Sequence, residues 1–296
     1  MFTIDFVINV LSLGSLYALL ALGLVIVYGI LKLVNFAYGE LITVAGYTLF
    51  LLGNQSAIPW LVMAIIAIIA AIFTSFLTER IAFKPVREKS LTAMFITSFA
   101  VSTLLQNAAL IIISARSRAI RLPALFSESI SISGIDIPMR NVLTIATSFL
   151  LLIALSLLLK RTILGIALRA AADKFQMTRM LGVPANTIIS TAFVISGLLA
   201  GVVALFWIGR AGSVAPGIGL APLLIAFVAT VIGGINSLEG ALLGGYLYGF
   251  LFSVISLILP QGLLDYREAF MFIIVILFLL FRPEGLIRGS YAGERI

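Results

Sequence analysis

The chain has 296 residues, 62% of them hydrophobic and only 10% charged, with a mean hydropathy of +1.22 and a net charge of +7. That composition excludes the soluble globular and disordered classes, and the absence of both Cys and His excludes disulfides, thiol nucleophiles, imidazole bases and the usual zinc ligand sets. In so apolar a chain the basic excess reads as membrane topology rather than as nucleic-acid binding.

A spanning helix needs about 20 apolar residues. Runs lie at 6–31, 36–52, 58–78, 91–114, 141–159, 187–208, 220–235, 240–259 and 270–281, which predicts an all-α polytopic membrane protein of eight to nine segments. The runs at 36–52, 220–235 and 270–281 are short and suggest re-entrant, broken or bundle-buried pieces. The polar stretches between runs are too short to build an aqueous core, so residues 1–296 read as one membrane domain. The first run has no basic segment before it and no small-residue cleavage site after it, and reads as a retained helix. Within it Ser12, Ser15 and Tyr17 form a weak polar stripe.

Between the first two runs stands LVNFAYGELI, with Asn35, Tyr38, Gly39 and Glu40 in surroundings where a charge is expensive. Asn35 is placed to cap the following helix, and a carboxylate in its first turns favours the positive end of the helix dipole. The alternative is that Asn35, Tyr38 and Glu40 face the bundle interior and line or gate a pathway. In the fourth run Gln106 and Asn107 are adjacent, so they cannot both face one neighbour; at least one is expected to bond another helix.

After the fourth run, SISISGIDIP alternates apolar residues on both sides of Gly134 and predicts a small β-hairpin, either a docking surface or a lid over helix ends. The segment from Arg161 to Asn186 is too polar to span. It opens with a capping residue, Thr162, and closes with Gly182 and Pro184, so it predicts a helix outside the membrane. Ile166, Ala170, Met177 and Met180 share one side of it, interrupted by Asp173.

Small residues recur in three pairs at four-residue spacing in the later runs. Gly197 and Gly201, and Gly240, Gly244, Gly245 and Gly249, predict close helix crossings, either static or sliding. NSLEGALLGGY also echoes the opening segment: Glu40, Gly46 and Tyr47 are matched by Glu239, Gly245 and Tyr246, with Asn35 and Asn236 upstream, a pattern that suggests internal duplication. Placing the loop at 79–90 in the cytoplasm and alternating sides puts thirteen of the nineteen basic residues inside. The six left outside are Arg116, Arg118, Arg121, Arg140, Arg210 and Arg267, giving an outward N-terminus and an inward C-terminus.

Three segments, LVNFAYGELITVAGY, LRAAADKFQMTRMLGVPANTIISTAFVISGLLAGVVA and VIGGINSLEGALLGGYLYG, in this order over nearly the whole chain, resemble the LivH-type permease of bacterial branched-chain amino acid ABC importers. The resemblance implies a subunit of the bacterial cytoplasmic (inner) membrane, surrounded by lipid. Its implied partners are a second permease of the LivM type, two cytoplasmic ATPases that bind ATP and Mg, and an extracytoplasmic solute-binding protein. No cofactor is implied in this chain itself. The resemblance gives the helix from Arg169 to Gly182 the role of contacting an ATPase, with Ala171, Ala172, Asp173 and Gly182 as the part resembling the importers' EAA loop, although the general EAA spacing is not reproduced. Asn35, Gly39 and Glu40 match the family's Asn-Phe-Ala-x-Gly-Glu segment, with Tyr38 where a His is frequent.

Two other classes compete. A proton-coupled secondary transporter would use Glu40 as its proton site and would have no need of a structured 161–186 segment. A membrane enzyme would need a nucleophile, base and metal set, which is not assembled in or near the runs. Within the ABC class, permeases for urea, short amides or sugars are the further alternative.

Overall fold

Inside lipid every backbone N–H and C=O must be paired internally, so the apolar runs fold as helices. The computed structural model describes residues 4–53, 58–87, 89–120, 122–123, 126, 128–132, 135–180, 182–235 and 237–287, with the side chains at 132, 135, 173–176 and 179 excepted. Arg121, Gly134, Asn236, Arg288, Arg295 and the side chains of Asp173, Lys174 and Arg179, all used in the sequence reading, lie outside the described residues.

Ten α-helices follow in chain order among the described residues: α1 (Ile4–Leu31), α2 (Tyr38–Gly53), α3 (Trp60–Leu77), α4 (Leu91–Ile112), α5 (Met139–Arg161), α6 (Ile163–Met180), α7 (Ala185–Ala211), α8 (Leu220–Gly233), α9 (Leu238–Ile258) and α10 (Arg267–Phe281). A π-helical turn, Thr78–Phe83, extends α3. Among the described residues six helices are long and apolar enough to cross a membrane: α1, α3 with its extension, α4, α5, α7 and α9. The hairpin expected at 129–138 is present, with β2 (Ser129–Ile132) antiparallel to β3 (Ile135–Pro138) and Ile130 opposite Ile137. A second strand pair, which the sequence did not suggest, joins β1 (Arg118–Ala119) to β4 (Ser213–Val214).

α1 is the axis of the bundle, with Leu16, Leu19 and Leu20 fully buried. α9 runs antiparallel along it. A Cβ at Gly245 would strike the backbone of Tyr17 and Ala18, and one at Gly249 would strike Leu13 and Gly14. On α7, Gly197 and Gly201 seat against the α3 backbone at Ile72 and Ile68, and Gly240 and Gly244 of α9 seat against Gly233 and Ala229 of α8. All six glycines singled out from the sequence therefore sit where two helix backbones touch, as small-residue packing in lipid requires.

Two of the three short runs, 36–52 and 220–235, prove to be half-helices that start inside the bundle; the third, 270–281, lies in α10, which is neither broken nor bundle-buried, since only Met271 and Val275 of it are buried. α2 follows the end of α1 that lies beside α6, where Lys32 Nζ donates to the Ala172 carbonyl at 3.0 Å. α8 follows the opposite end of α7, where the strand pair closes and Ile120 N donates to Gly212 O at 3.0 Å. Helices beginning at opposite membrane faces would start about 30 Å apart. Instead, Gly39 and Gly219 are in mutual contact, each so close to the other's carbonyl that a Cβ on either would collide with it. At 16 and 14 residues, α2 and α8 are about 24 Å and 21 Å long, too short to span alone. Non-helical lead-ins at 32–37 and 212–219 bring each chain to its starting point.

Candidate functional site

The meeting point of α2 and α8 is built from the segment that the sequence singled out. The Asn35 side chain does not cap the helix end directly. Its Oδ1 accepts from Ala37 N at 3.1 Å and its carbonyl from Tyr38 N at 3.1 Å, which fixes the turn that enters α2. Tyr38 is fully buried, with its hydroxyl against Gly23 of α1 and no hydrogen-bond partner. Gly39 lets the two backbones meet. Glu40, in the first turn of α2, is 1% exposed.

The Glu40 carboxylate faces α4. Oε1 accepts from Gln106 Nε2 at 2.7 Å and from Ser102 Oγ at 3.2 Å, while Oε2 is buried without a partner. Ser102 lies eleven residues past Leu91 and ten before Ile112, so the carboxylate sits at the middle of a helix long enough to span. Two helix N-termini converge there, and their partial positive charges add because both helices point away from the contact. A carboxylate in the first turn of α2 offsets that charge. This gives the electrostatic reason for Glu40, and both readings of it remain physically compatible: it is a packing element, and it lies in the interior.

Gln106 is the amide that bonds another helix, whereas Asn107 donates back to Thr103 O of its own helix and is exposed. Ser102 was missed in the sequence; its spacing of four from Gln106, placing both on one α4 face, was the signal available. The echo around Glu239 does not extend to environment. Glu239 is exposed in the first turn of α9, with none of the α4-type partners that Glu40 has.

A second polar cluster lies at the strand end of the bundle. Arg210, in the last turn of α7, donates through Nη2 to Ser12 Oγ of α1 at 2.6 Å and to Asn141 Oδ1 of α5 at 3.1 Å. Ser15 and Tyr246 share a hydrogen bond of 3.0 Å, and Tyr17 packs edge-on against Tyr248. The weak α1 stripe read from sequence is thus a set of interhelical contacts, and Arg210, counted there only as an outer basic residue, bonds one member of it, Ser12.

At the opposite end, Thr162 caps α6 by accepting from Gly165 N at 3.0 Å, and Gly182 takes the left-handed conformation (φ 85°) that ends it, as the sequence signals predict. The structure divides the residues assigned to ATPase contact. Ala171 is 1% exposed and Ala172 abuts Gly29 of α1, so both face the bundle, while Arg169 and Gly182 are exposed. The outward face carries Ile163, Ile166, Met177 and Met180, which are 87%, 55%, 58% and 87% exposed. Beside it, the buried Glu79 of the π turn accepts from Ser190 Oγ at 2.8 Å and pairs with Arg87 at 3.7 Å, and Arg87 also donates to Asn186. These bonds tie the start of α7, directly after the α6–α7 connection, to the 78–87 segment. Among the described residues no group of three or more acidic side chains that could hold a metal ion occurs.

Comparison with known proteins places this architecture. The family model described as the permease component of the branched-chain amino acid transport system matches residues 6–280. The high-affinity branched-chain amino acid transport system permease protein BraD of Pseudomonas aeruginosa is 35% identical over 292 residues, covering 95% of this chain and 94% of the relative. The permease protein LivH of Salmonella typhimurium is 33% identical over 295 residues, covering 94% and 93%. A probable branched-chain amino acid permease of Methanocaldococcus jannaschii is 30% identical over 286 residues, covering 92% and 89%.

Proposed function

Since the chain belongs to the permease family of branched-chain amino acid ABC transport systems, we propose that it forms one half of the membrane passage of an importer for leucine-type amino acids. It acts beside a second permease of the LivM type, in the bacterial inner membrane with its C-terminus in the cytoplasm. Two ATPases bind ATP and Mg and supply the work, and an extracytoplasmic binding protein delivers the substrate. The observation that carries the reading is the α6 face: a helix outside the spans, capped at both ends, that turns Ile163, Ile166, Met177 and Met180 away from the bundle. An isolated chain has no reason to hold so apolar a face in water. A groove on an ATPase covers it.

In this reading Asn35, Tyr38, Gly39 and Glu40 form the gate element. The contact between Gly39 and Gly219 joins two half-helices with separate lead-ins, and such broken helices are where transporters place their moving parts. Motion of α6 reaches them through α1, whose Gly29 is abutted by Ala172. The proton-coupled alternative loses its motive, because Glu40 is accounted for by the two helix ends and by α4.

The experiment is reconstitution of the four-subunit complex in proteoliposomes, with the binding protein loaded with labelled leucine. Accumulation that requires internal ATP and is indifferent to an imposed proton gradient is expected. Uptake driven by the gradient without ATP would sink the reading.

A further inference from the structure

An open furrow of about 420 Å³ runs between α5 and α9 at the α6 end of the bundle. The buried Leu22 of α1 and Leu155 of α5 line its inside, and Leu152, Leu242 and Leu243 line its walls. Three charged side chains share the same lining: Lys160 in the last turn of α5, Arg169 on α6 and Glu239 in the first turn of α9. All three are exposed, and among the described residues none of them is paired with an opposite charge.

The order of these residues is that of a lipid. α5 and α9 are spanning helices, and Lys160 and Glu239 stand in their terminal turns on one side of the membrane. Leu152 precedes Lys160 by two turns, about 12 Å deeper along α5, and Leu242 and Leu243 lie one turn deeper than Glu239 along α9. The charges therefore stand at the rim, and the apolar lining continues from there toward the hydrocarbon. A soluble anion has no use for the leucines, and a bare acyl chain has none for the charges. Two cations and one carboxylate also discriminate among headgroups. Lys160 and Arg169 suit a phosphate, which the fork of Arg169 meets at two oxygens. Glu239 repels a purely anionic head and suits an ammonium, from whose N–H groups it accepts.

We propose that this furrow binds one phospholipid with a primary-ammonium head, drawn from the leaflet on the α6 side. Its phosphate lies between Lys160 and Arg169, its ammonium on Glu239, and one acyl chain along Leu152, Leu155 and Leu242. The head bridges α5, α6 and α9, so the lipid fastens the helix with the exposed apolar face to a spanning helix of the bundle.

The test is native mass spectrometry of the purified protein with the subunits that accompany it, delipidated in detergent and then offered phosphatidylethanolamine, phosphatidylcholine or phosphatidylglycerol. What the complex transports has no bearing on the result. One phosphatidylethanolamine is expected to bind about fivefold or more tighter than either of the others. Lys160→Gln combined with Arg169→Gln is expected to weaken it by about fivefold per cation, short of the tenfold scale of a withdrawn charged hydrogen bond because both side chains are exposed. Glu239→Lys is expected to reverse the preference toward phosphatidylglycerol, a change that a folding defect does not produce, and it serves if the double variant fails to assemble. Unchanged binding in the double variant overturns the proposal, as does an unchanged preference in Glu239→Lys. So does a native preference for phosphatidylglycerol, which would make this an anionic-lipid site. The chain has no cysteine, so Ser156→Cys puts a single thiol of this subunit on the furrow wall. A photoreactive maleimide attached there is expected to cross-link to phospholipid in the membrane, and cross-linking to a second permease instead would show that protein covers the furrow and would also overturn the proposal.

Discussion

Gln106 of α4 donates to Glu40 of α2 across 2.7 Å at the middle of the bundle, and this bond is the principal tie between α4 and the half-helix pair. α4 is otherwise largely unburied; Ser102 adds a longer bond to Glu40, and Phe95 and Phe99 contact Phe36 of the lead-in to α2. The amide therefore does two things at once: it pairs a costly buried carboxylate, and it fixes the position of an outlying helix relative to the start of α2.

From this bond follows the behaviour of Glu40 variants. Glu40→Gln keeps an oxygen for Gln106 and loses only the interaction of the charge with the helix ends, about 0.3–1 kcal/mol. Uptake in proteoliposomes should stay within a few-fold of native and remain ATP-driven. Glu40→Leu strands the Gln106 amide and the Ser102 hydroxyl and should cost about 1–3 kcal/mol of stability, read as a lowered Tm of the purified complex. Equal and complete inactivity of both variants would mean that the charge itself is required.

The half-helix contact makes a second prediction with an internal control. Gly39→Ala places a methyl group against the Gly219 carbonyl and Leu223, and should destabilise the subunit by about 1–3 kcal/mol or abolish transport outright. Gly53→Ala, at the end of the same helix, has nothing within 4 Å of the new methyl and should be silent. The pair is scored by membrane yield and leucine uptake, and similar outcomes for the two would show that the contact is not maintained in the working complex.

Much of this was legible in the sequence, for reasons that the particular residues make clear. Hydrophobic runs of spanning length have one solution in lipid, so α1, α4, α5, α7 and α9 follow from length alone, and glycines at four-residue spacing mark the crossings where Gly197, Gly201 and Gly244 were found. The shortness of 36–52 and 220–235 signalled broken segments. What could not be read was that the starts of these two segments meet. Gly39 and Gly219 are 180 residues apart, and nothing in local periodicity records a contact that depends on how α1 and α7 deliver their lead-ins. The neighbours of Arg210 were hidden for the same reason. Ala171 and Ala172 were grouped with the contact face by resemblance, whereas the helix period turns them toward the bundle and leaves Ile166 and Met177 outside.

The Glu79 network predicts a coupling defect. Glu79 is 1% exposed and holds Ser190 of α7, while Arg87 pairs with it and with Asn186 in the first turn of α7. Arg87→Ala leaves the carboxylate with one neutral partner and frees the α6–α7 connection. Limited proteolysis should then cut near 182–186 several times faster than in the native complex, and uptake should fall relative to ATP hydrolysis. Arg87→Lys, which keeps the charge but not the fork, should recover part of the coupling.

The outward face of α6 gives the most direct test of the partner assignment. Met177→Asp adds a charge on a side chain that is 58% exposed and points away from the bundle, so it leaves the packing of Ala171 and Ala172 untouched. The subunit should therefore insert and pair with the second permease as the native chain does. Contact with an ATPase groove, in contrast, would bury that carboxylate against apolar surface at a cost of several kcal/mol. Co-purification of the ATPases should drop at least tenfold, with binding-protein-stimulated ATP hydrolysis falling in parallel. Lys160→Ala, on an exposed residue of the last turn of α5 and so off this face, is expected to leave ATPase binding unchanged. Normal ATPase recovery with Met177→Asp would move the docking surface off α6 and leave its exposed apolar face in need of another occupant.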